Sequence, residues 1–388
     1  PKTAKALYGK NIFSSVSRLE RFAGCPFSFF AEYGLKAEER RLYQLNTPDL
    51  GSLFHEVLEL FSNKLEQDSL PWTSLTKEET TARIHAAVED AAPRLGNRIL
   101  LDSAANQYLI RRLKRISTRA AWTLVQHLQQ GDFVPAGYEV GFGAHEALPP
   151  IVIRLQDGGS LILNGKIDRV DLLDANGTRY VKIIDYKSGN KTFHFQDIYY
   201  GLQLQLLVYL DAYLKYYKKT GASFKPGGVF YFRITDPTLA LDEELSAEAI
   251  EKILYEKMRM SGLLLQEDVL IHGLDHSLAE SRSSAIVPVG YTKKGDPTAA
   301  SNLATEEQYA AILDFVATRT QEIGDAMKAG IITPAPYRDG QRTPCSYCSY
   351  RSLCRHSYGE APRWRKLKKI DKADFWESIT PKQPPETE

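Results

Sequence analysis

The feature that most constrains this chain is one dipeptide, Asn176-Gly177, set between the alternating apolar segments "LILNGKIDRVDLLDA" and "TRYVKIIDYK". A two-residue loop of this composition favours a type I′ turn, because both central positions need positive φ, which Asn and Gly adopt at least cost. If the dipeptide closes a hairpin, residue 175 pairs with 178 and the register is set along both strands. Asp171 then faces Lys182, an ordinary ion pair on one face, and Asp168 faces Asp185 on the other. Opposed side chains lie roughly 5 Å apart, so two carboxylates there repel and need a compensating partner.

Two carboxylates can share a proton or a cation. Lys187, two positions after Asp185 and so on the same strand face, favours the cation, since an ammonium beside the pair suits divalent-metal chemistry better than a shared proton. Hard oxygen donors select Mg²⁺ or Mn²⁺. The plain alternative is an exposed strand end carrying solvated polar residues.

Upstream of the hairpin the pattern is helical. "SSVSRLERFAGCPFSFF" reads as a helix broken at Pro26, which puts Cys25 at a boundary. "PDLGSLFHEVLELFSNKLEQ" carries an apolar stripe of Leu53, Phe54, Val57, Leu58 and Phe61, with His55 and Glu59 on a neighbouring face. Residues 76 to 130 read as further helices, including the basic run "IRRLKRISTR". From 136 the period becomes two, and "AGYEVGF", "PIVIRLQ", "SLILNGKIDRVDLL" and "RYVKIIDYKSG" read as consecutive strands. One long apolar helix, "FQDIYYGLQLQLLVYLDAYLKYY", and the strand "GGVFYFRI" follow. Helices at 246–265 and 305–329 flank a loop containing "GYTKKGDPTAASN", and the charged tail after 360 reads as weakly ordered. This order implies an α/β core with helical additions.

Lys and Arg number 49 against 48 Asp and Glu, so global charge neither demands nor excludes a nucleic-acid partner. The first residues lack the apolar core of a secretion signal, and no run approaches the roughly 18 apolar residues of a membrane span. The expected compartment is the reducing cytoplasm, where four cysteines are more often metal ligands or core thiols than disulfides. Three of them, Cys345, Cys348 and Cys354, fall in "PCSYCSYRSLCRH", while Cys25 stands near the start of the chain. That spacing is a poor match to the paired C-x₂-C of zinc ribbons, whereas a cubane iron–sulfur cluster takes four thiolates that need not be sequence neighbours. Zinc held by the same thiols and a merely buried Cys25 are the alternatives. No G-x-x-x-x-G-K-[ST] is present, so a motor for processive work must lie elsewhere.

"GKID" followed by "IIDYKSG" resembles the divided acidic and D-x-K signature of the PD-(D/E)XK nuclease superfamily, in its RecB-like branch. "GSLFHEVLELF" resembles that branch's histidine motif and "QLLVY" its Q-x-x-x-Y motif, in the family's order. "SSVSRLERFAGCPFSFF" resembles the S-x-S-x-L-E-x-x-x-x-C-P-F opening of members that bind a [4Fe–4S] cluster. The resemblance implies a restriction-endonuclease-like α/β fold, a central mixed sheet flanked by helices, with helical insertions. It implies His55, Asp168, Asp185 and the Tyr186 backbone carbonyl as ligands of Mg²⁺, Lys187 as the catalytic lysine, and Gln205 and Tyr209 lining the active site. It further implies Cys25, Cys345, Cys348 and Cys354 as ligands of a [4Fe–4S] cluster that staples the N- and C-terminal segments. Taken singly, His55 also reads as a core histidine, and Gln205 and Tyr209 as polar positions of an amphipathic helix.

The combination most resembles the nuclease domain of the AddB family, one of the two chains of bacterial AddAB helicase–nucleases, over residues 11 to 357. This implies a Mg²⁺-dependent deoxyribonuclease that cuts the 5′-ended single strand during double-strand break resection, in a heterodimer with an AddA-type motor protein. Arg111, Arg112, Lys114, Lys293 and Lys294 are candidates for contact with the DNA backbone; the plain reading of the basic run is a solvated helix face. A stand-alone iron–sulfur exonuclease of the CRISPR-adaptation type and a non-catalytic DNA-binding scaffold are the other readings. The chain then divides into N-terminal helices (1–70), a helical insertion (71–135), a catalytic core (136–235), a second insertion (236–304), a C-terminal helix with the clustered cysteines (305–358) and a charged tail (359–388).

Overall fold

Asn176 and Gly177 both adopt positive φ, at 51° and 75°, and the turn joins two central strands of a mixed sheet. The computed structural model describes residues 9–38, 47–94, 104–239, 244–356 and 364–380. Its principal strands are β1 (Asn11–Ser14), β2 (Val134–Phe142), β3 (Ile151–Arg154), β4 (Ser160–Leu163), β5 (Gly165–Ala175), β6 (Thr178–Lys187), β7 (Phe224–Arg233), β8 (Ser261–Leu265) and β9 (Leu303–Ala304). The central sheet has the order β2-β5-β6-β7-β8-β9, and β1-β4-β3 form a smaller one. Strands β5 and β6 pair antiparallel from Ala175↔Thr178 through Asp171↔Lys182 to Arg169↔Ile184, the register expected of the Asn-Gly turn. Strand β7 joins β6 in parallel.

The helices are α1 (Val16–Gly24), α2 (Pro26–Phe29), α3 (Thr47–Gln67), α4 (Lys77–Ala91), α5 (Ala104–Gln129), α6 (Phe195–Tyr199), α7 (Gln205–Lys219), α8 (Ala247–Lys257), α9 (Asp268–Leu274), α10 (Glu306–Lys328), α11 (Arg351–Cys354) and α12 (Lys372–Ile379). The fold is α/β, as expected. Four local expectations are corrected. "SLILNGKIDRVDLL" is not one strand: the Asn164 N–H donates to the Ser14 carbonyl at 3.1 Å, and there the chain leaves the small sheet for the central one. The long helix from 195 is two, α6 and α7, separated by a turn with Gly201 at φ 73°. The segment 246–265 is helix only to Lys257, and its apolar end is strand β8; a short apolar run does not by itself distinguish a helix from a buried strand. A Cβ on Gly262 would sit 1.9 Å from the Val229 carbonyl oxygen, so this strand reaches β7 only with glycine there. The stretch 236–304, expected as an insertion, therefore supplies two strands of the central sheet.

The fourth correction is the tail. Phe375 and Trp376 on α12 are buried, with ring centroids 5.0 and 5.4 Å from Phe195, so two aromatics anchor an otherwise charged segment. Residues 359–363 and 381–388 of that tail lie outside the described residues.

The Asp171–Lys182 pair is not an ordinary surface ion pair. Asp171 is fully buried, takes both a bidentate contact from Arg169 at 2.6 and 2.8 Å and Lys182 at 2.9 Å, and Arg169 lies over the Trp72 ring at 4.9 Å. Burial alone would raise the Asp171 pKa, but the two cations hold it below the usual carboxylate range. His127 of α5 packs edge-on to Phe232 beside this network and is pushed down to about 3 by burial and the nearby Lys182 and Arg169 charges. One face of the hairpin is thus sealed by buried ion pairs and helices, leaving the Asp168 and Asp185 face to α7.

Candidate active site

Three carboxylates line up across three adjacent strands. Pairing of Tyr138 with Arg169 and of Val140 with Ile167 sets Glu139 across from Asp168, and the hairpin register sets Asp168 across from Asp185. From α3, His55 brings Nδ1 to 3.3 Å from Asp168 Oδ2, and the same oxygen accepts the Tyr186 N–H at 2.6 Å. One donor atom each from His55, Glu139 and Asp168 lie within 4.8 Å of one another. Sequence reasoning misses Glu139, because a long connection through the small sheet separates β2 from the hairpin. The only signal is an acidic residue inside the strand "AGYEVGF". Its φ of 47° is unusual for a side chain other than glycine, and such backbone settings cluster at functional sites.

Asp185 is buried and faces α7. Gln205, the first residue of α7, donates Nε2 to Asp185 Oδ1 at 2.7 Å. Lys187 Nζ lies 2.5 Å from Asp185 Oδ2 and 3.4 Å from Gln205 Oε1. One turn along α7, Tyr209 stacks on Phe142 with centroids 5.5 Å apart and crosses Gly165, where a Cβ would meet its hydroxyl at 2.1 Å. Gly165→Ala is therefore expected to cost about 1–3 kcal/mol by overpacking, part of it recovered in a Tyr209→Phe background; equal melting-temperature losses in both backgrounds would argue against this contact.

The electrostatics show too much negative charge for the site to hold alone. Burial and then the Asp168 charge push Asp185 up to about 6, against Lys187. Burial, Asp168 and Glu59 push Glu139 up to about 7, against Lys166 and His55. Burial works against charged His55 and charged Lys187, yet Asp168 raises the first and Asp185 the second. A divalent cation relieves the same repulsion that protonation would. The donors fit Mg²⁺ or Mn²⁺: hard oxygens with one imidazole, and a buried Asp185 Oδ2 that, for all its closeness to Lys187, accepts no aligned hydrogen bond among the described residues.

The four cysteines, none in a disulfide, line one narrow cavity with Phe27, Ser28 and His356. Burial and the charges of the other three thiols raise the Cys345 pKa, and burial with Cys25 and Cys348 does the same to Cys354. Tyr350 Oη donates to the Ala37 carbonyl at 3.0 Å, a direct link between the C-terminal segment and the first helices.

The basic candidates lie elsewhere. Arg111 and Lys114 line a groove with Lys77, Arg115, Arg119 and Trp122, and Lys114 is paired with Glu89 at 2.6 Å. Arg112 is exposed on α5, and Lys293 and Lys294 sit in an exposed turn. Among the described residues, none of these five is joined to the carboxylates by a hydrogen bond or ion pair.

Residues 14–355 match the PD-(D/E)XK nuclease superfamily. Among curated proteins, the chain is similar to the B chain of the ATP-dependent helicase/deoxyribonuclease of Alkaliphilus oremlandii (strain OhILAs), 43% identical over 97% of this chain and 33% of the relative. The proteins of the same name from Alkaliphilus metalliredigens (strain QYMF) and Thermoanaerobacter sp. (strain X514) are 45% and 37% identical, over 90% and 97% of this chain and 30% and 33% of their own. The chain spans about a third of the length of these curated relatives. No helix among the described residues is long and apolar enough to cross a membrane. With the match running through both hairpin strands and the helices that face them, the chain belongs to the PD-(D/E)XK nuclease superfamily.

Proposed function

We propose that this chain is the nuclease part of a bacterial ATP-dependent helicase–nuclease, hydrolysing phosphodiester bonds of the 5′-ended single strand during DNA double-strand break resection. The observation that carries this reading is buried Asp185, set across from Asp168 and beside Lys187. Asp168, Asp185, His55 and the Tyr186 carbonyl would hold Mg²⁺ or Mn²⁺, with Glu139 close enough to His55 and Asp168 to share in it. When bound, such an ion polarises a phosphoryl oxygen and lowers the pKa of water. Lys187, kept protonated by Asp185, would hydrogen-bond the attacking water or the scissile phosphate and offset charge as it builds there. Gln205 would hold Asp185 Oδ1, leaving its other oxygen to the cation.

Soft thiolates around one cavity suit an iron–sulfur cluster, and Cys25, Cys345, Cys348 and Cys354 would hold a [4Fe–4S] group whose contribution is to tie the first helices to the C-terminal segment. The relatives' name supports DNA as substrate, a partner of AddA type that supplies ATP-driven unwinding, and the cytoplasm as the place of work. It also weighs against the stand-alone exonuclease and scaffold readings, since the likeness extends over 97% of the chain. The full chain, stripped with a chelator, is expected to cut single-stranded DNA only after Mg²⁺ or Mn²⁺ is restored; cleavage independent of metal would contradict the proposal. For the cysteines, brown protein absorbing near roughly 400 nm is expected of iron–sulfur thiolates, and colourless protein with stoichiometric zinc would overturn the cluster.

A further inference from the structure

Glu20, five residues before Cys25, reaches across to the catalytic side of the fold. Its side chain is 13% exposed, and Oε2 takes Lys191 Nζ at 3.0 Å. Oε1 accepts the backbone N–H groups of Leu204 at 2.8 Å and Gln205 at 3.1 Å, where α7 begins. Leu204 offers α7 no side-chain cap of its own. The unpaired amides at the start of this helix are thus met by a carboxylate from a different helix, at the terminus where negative charge is most favourable.

We infer that Glu20 is a positioning residue for the nuclease centre, acting through the first turn of α7 to aim Gln205 at Asp185. The inference rests on reading Asp185 and Lys187 as that centre. Gln205 is the hinge of the arrangement: its backbone N–H is held by Glu20 while its amide donates to Asp185 at 2.7 Å and accepts from Lys187 at 3.4 Å. A shift of α7 therefore moves the group that orients both. Glu20 also occupies Lys191, which with Lys187 lies over the Tyr231 ring, at 5.3 and 5.9 Å. Without Glu20, Lys191 is free to compete for Asp185. Because the last N–H bond of α1 is the one from Cys25 to the Arg21 carbonyl, the helix that presents Glu20 to the active site also presents Cys25 to the cysteine cavity. One short helix registers both.

The test measures Mg²⁺-dependent cleavage of single-stranded DNA by the full chain, with rates expressed per folded molecule from circular-dichroism melts. Glu20→Ala is expected to lower kcat about 10- to 100-fold with KM held within about twofold, the range for misplaced catalytic groups. Glu20→Gln, whose amide oxygen can still accept both N–H groups, is expected to lose severalfold and less than Glu20→Ala. Since Glu20 acts through Gln205, the double variant Glu20→Ala/Gln205→Ala is expected to be no slower than Gln205→Ala alone. Unchanged kcat per folded molecule in either Glu20 variant, or losses that multiply in the double variant, would overturn the inference. Asp185→Ala run in parallel separates the two levels: if it is inactive while Glu20→Ala is fully active, positioning alone fails, and if Asp185→Ala is active the nuclease centre itself fails.

Discussion

Replacing Asp185 by Ala is expected to lower metal-dependent DNA cleavage by about 10³-fold or more, while the protein stays folded. The size follows from how much converges on this one carboxylate. It is buried, Gln205 donates to one oxygen, Lys187 lies against the other, and Asp168 stands across the hairpin. Losing it removes a proposed metal ligand and the anion that keeps Lys187 charged despite burial. Removal of a single electrostatic stabiliser at a transition state commonly costs about 10²–10³-fold, so a residue serving two such roles should cost at least the upper end. Lys187→Ala is expected to lose about 10²–10³-fold by the same measure. Stability should change the other way, because burial and Asp168 make charged Asp185 unfavourable and push it up to about 6. Melting temperature and kcat measured on the same preparations check both statements; a variant that keeps wild-type kcat would remove Asp185 from the chemistry.

Asp171→Ala is expected to be the most damaging change to folding among the charged residues of the hairpin, at about 3–5 kcal/mol in urea unfolding. Asp171 is the sole carboxylate contacting two buried cations, Arg169 and Lys182, among the described residues. Its removal strands both in an apolar layer beside Trp72, Phe133 and His127, and an uncompensated buried charge costs more than the ion pair is worth. Replacing all three by apolar residues of similar volume, Arg169→Met with Asp171→Leu and Lys182→Met, should therefore cost less than Asp171→Ala alone. A loss below about 0.5 kcal/mol for Asp171→Ala, the range of an ordinary surface change, would show that the network is not the seal it is taken to be.

The parts of the fold legible in the sequence are those governed by local rules. Asn176-Gly177 set the register that brings Asp168 and Asp185 together, and the stripe around His55 formed the expected helix. What stayed hidden depends on partners distant in sequence. Glu139 entered the carboxylate row because β2 pairs with β5 after a long detour, and no turn dictates that register. The break before α7 needed Glu20 as an external cap. Strand β8 was indistinguishable from the end of a helix until Gly262 could be seen against Val229. The buried character of Asp171–Lys182 depended on Arg169, two residues along the same face, and on the helices that close over it. Basic residues were the poorest guide: Lys114 is occupied by Glu89, and charge along a helix does not reveal which way that helix faces.

The claim that a divalent cation sits among these carboxylates is tested most directly by titrating the chelator-treated full chain with Mn²⁺ and counting bound ions by electron paramagnetic resonance. The wild-type chain is expected to bind Mn²⁺ stoichiometrically in competition with Mg²⁺, and Asp168→Asn and Asp185→Asn are each expected to weaken that binding by at least about tenfold, each having lost a charged oxygen ligand. Wild-type Mn²⁺ affinity in both variants would contradict the metal centre, and with it the nuclease mechanism built on it.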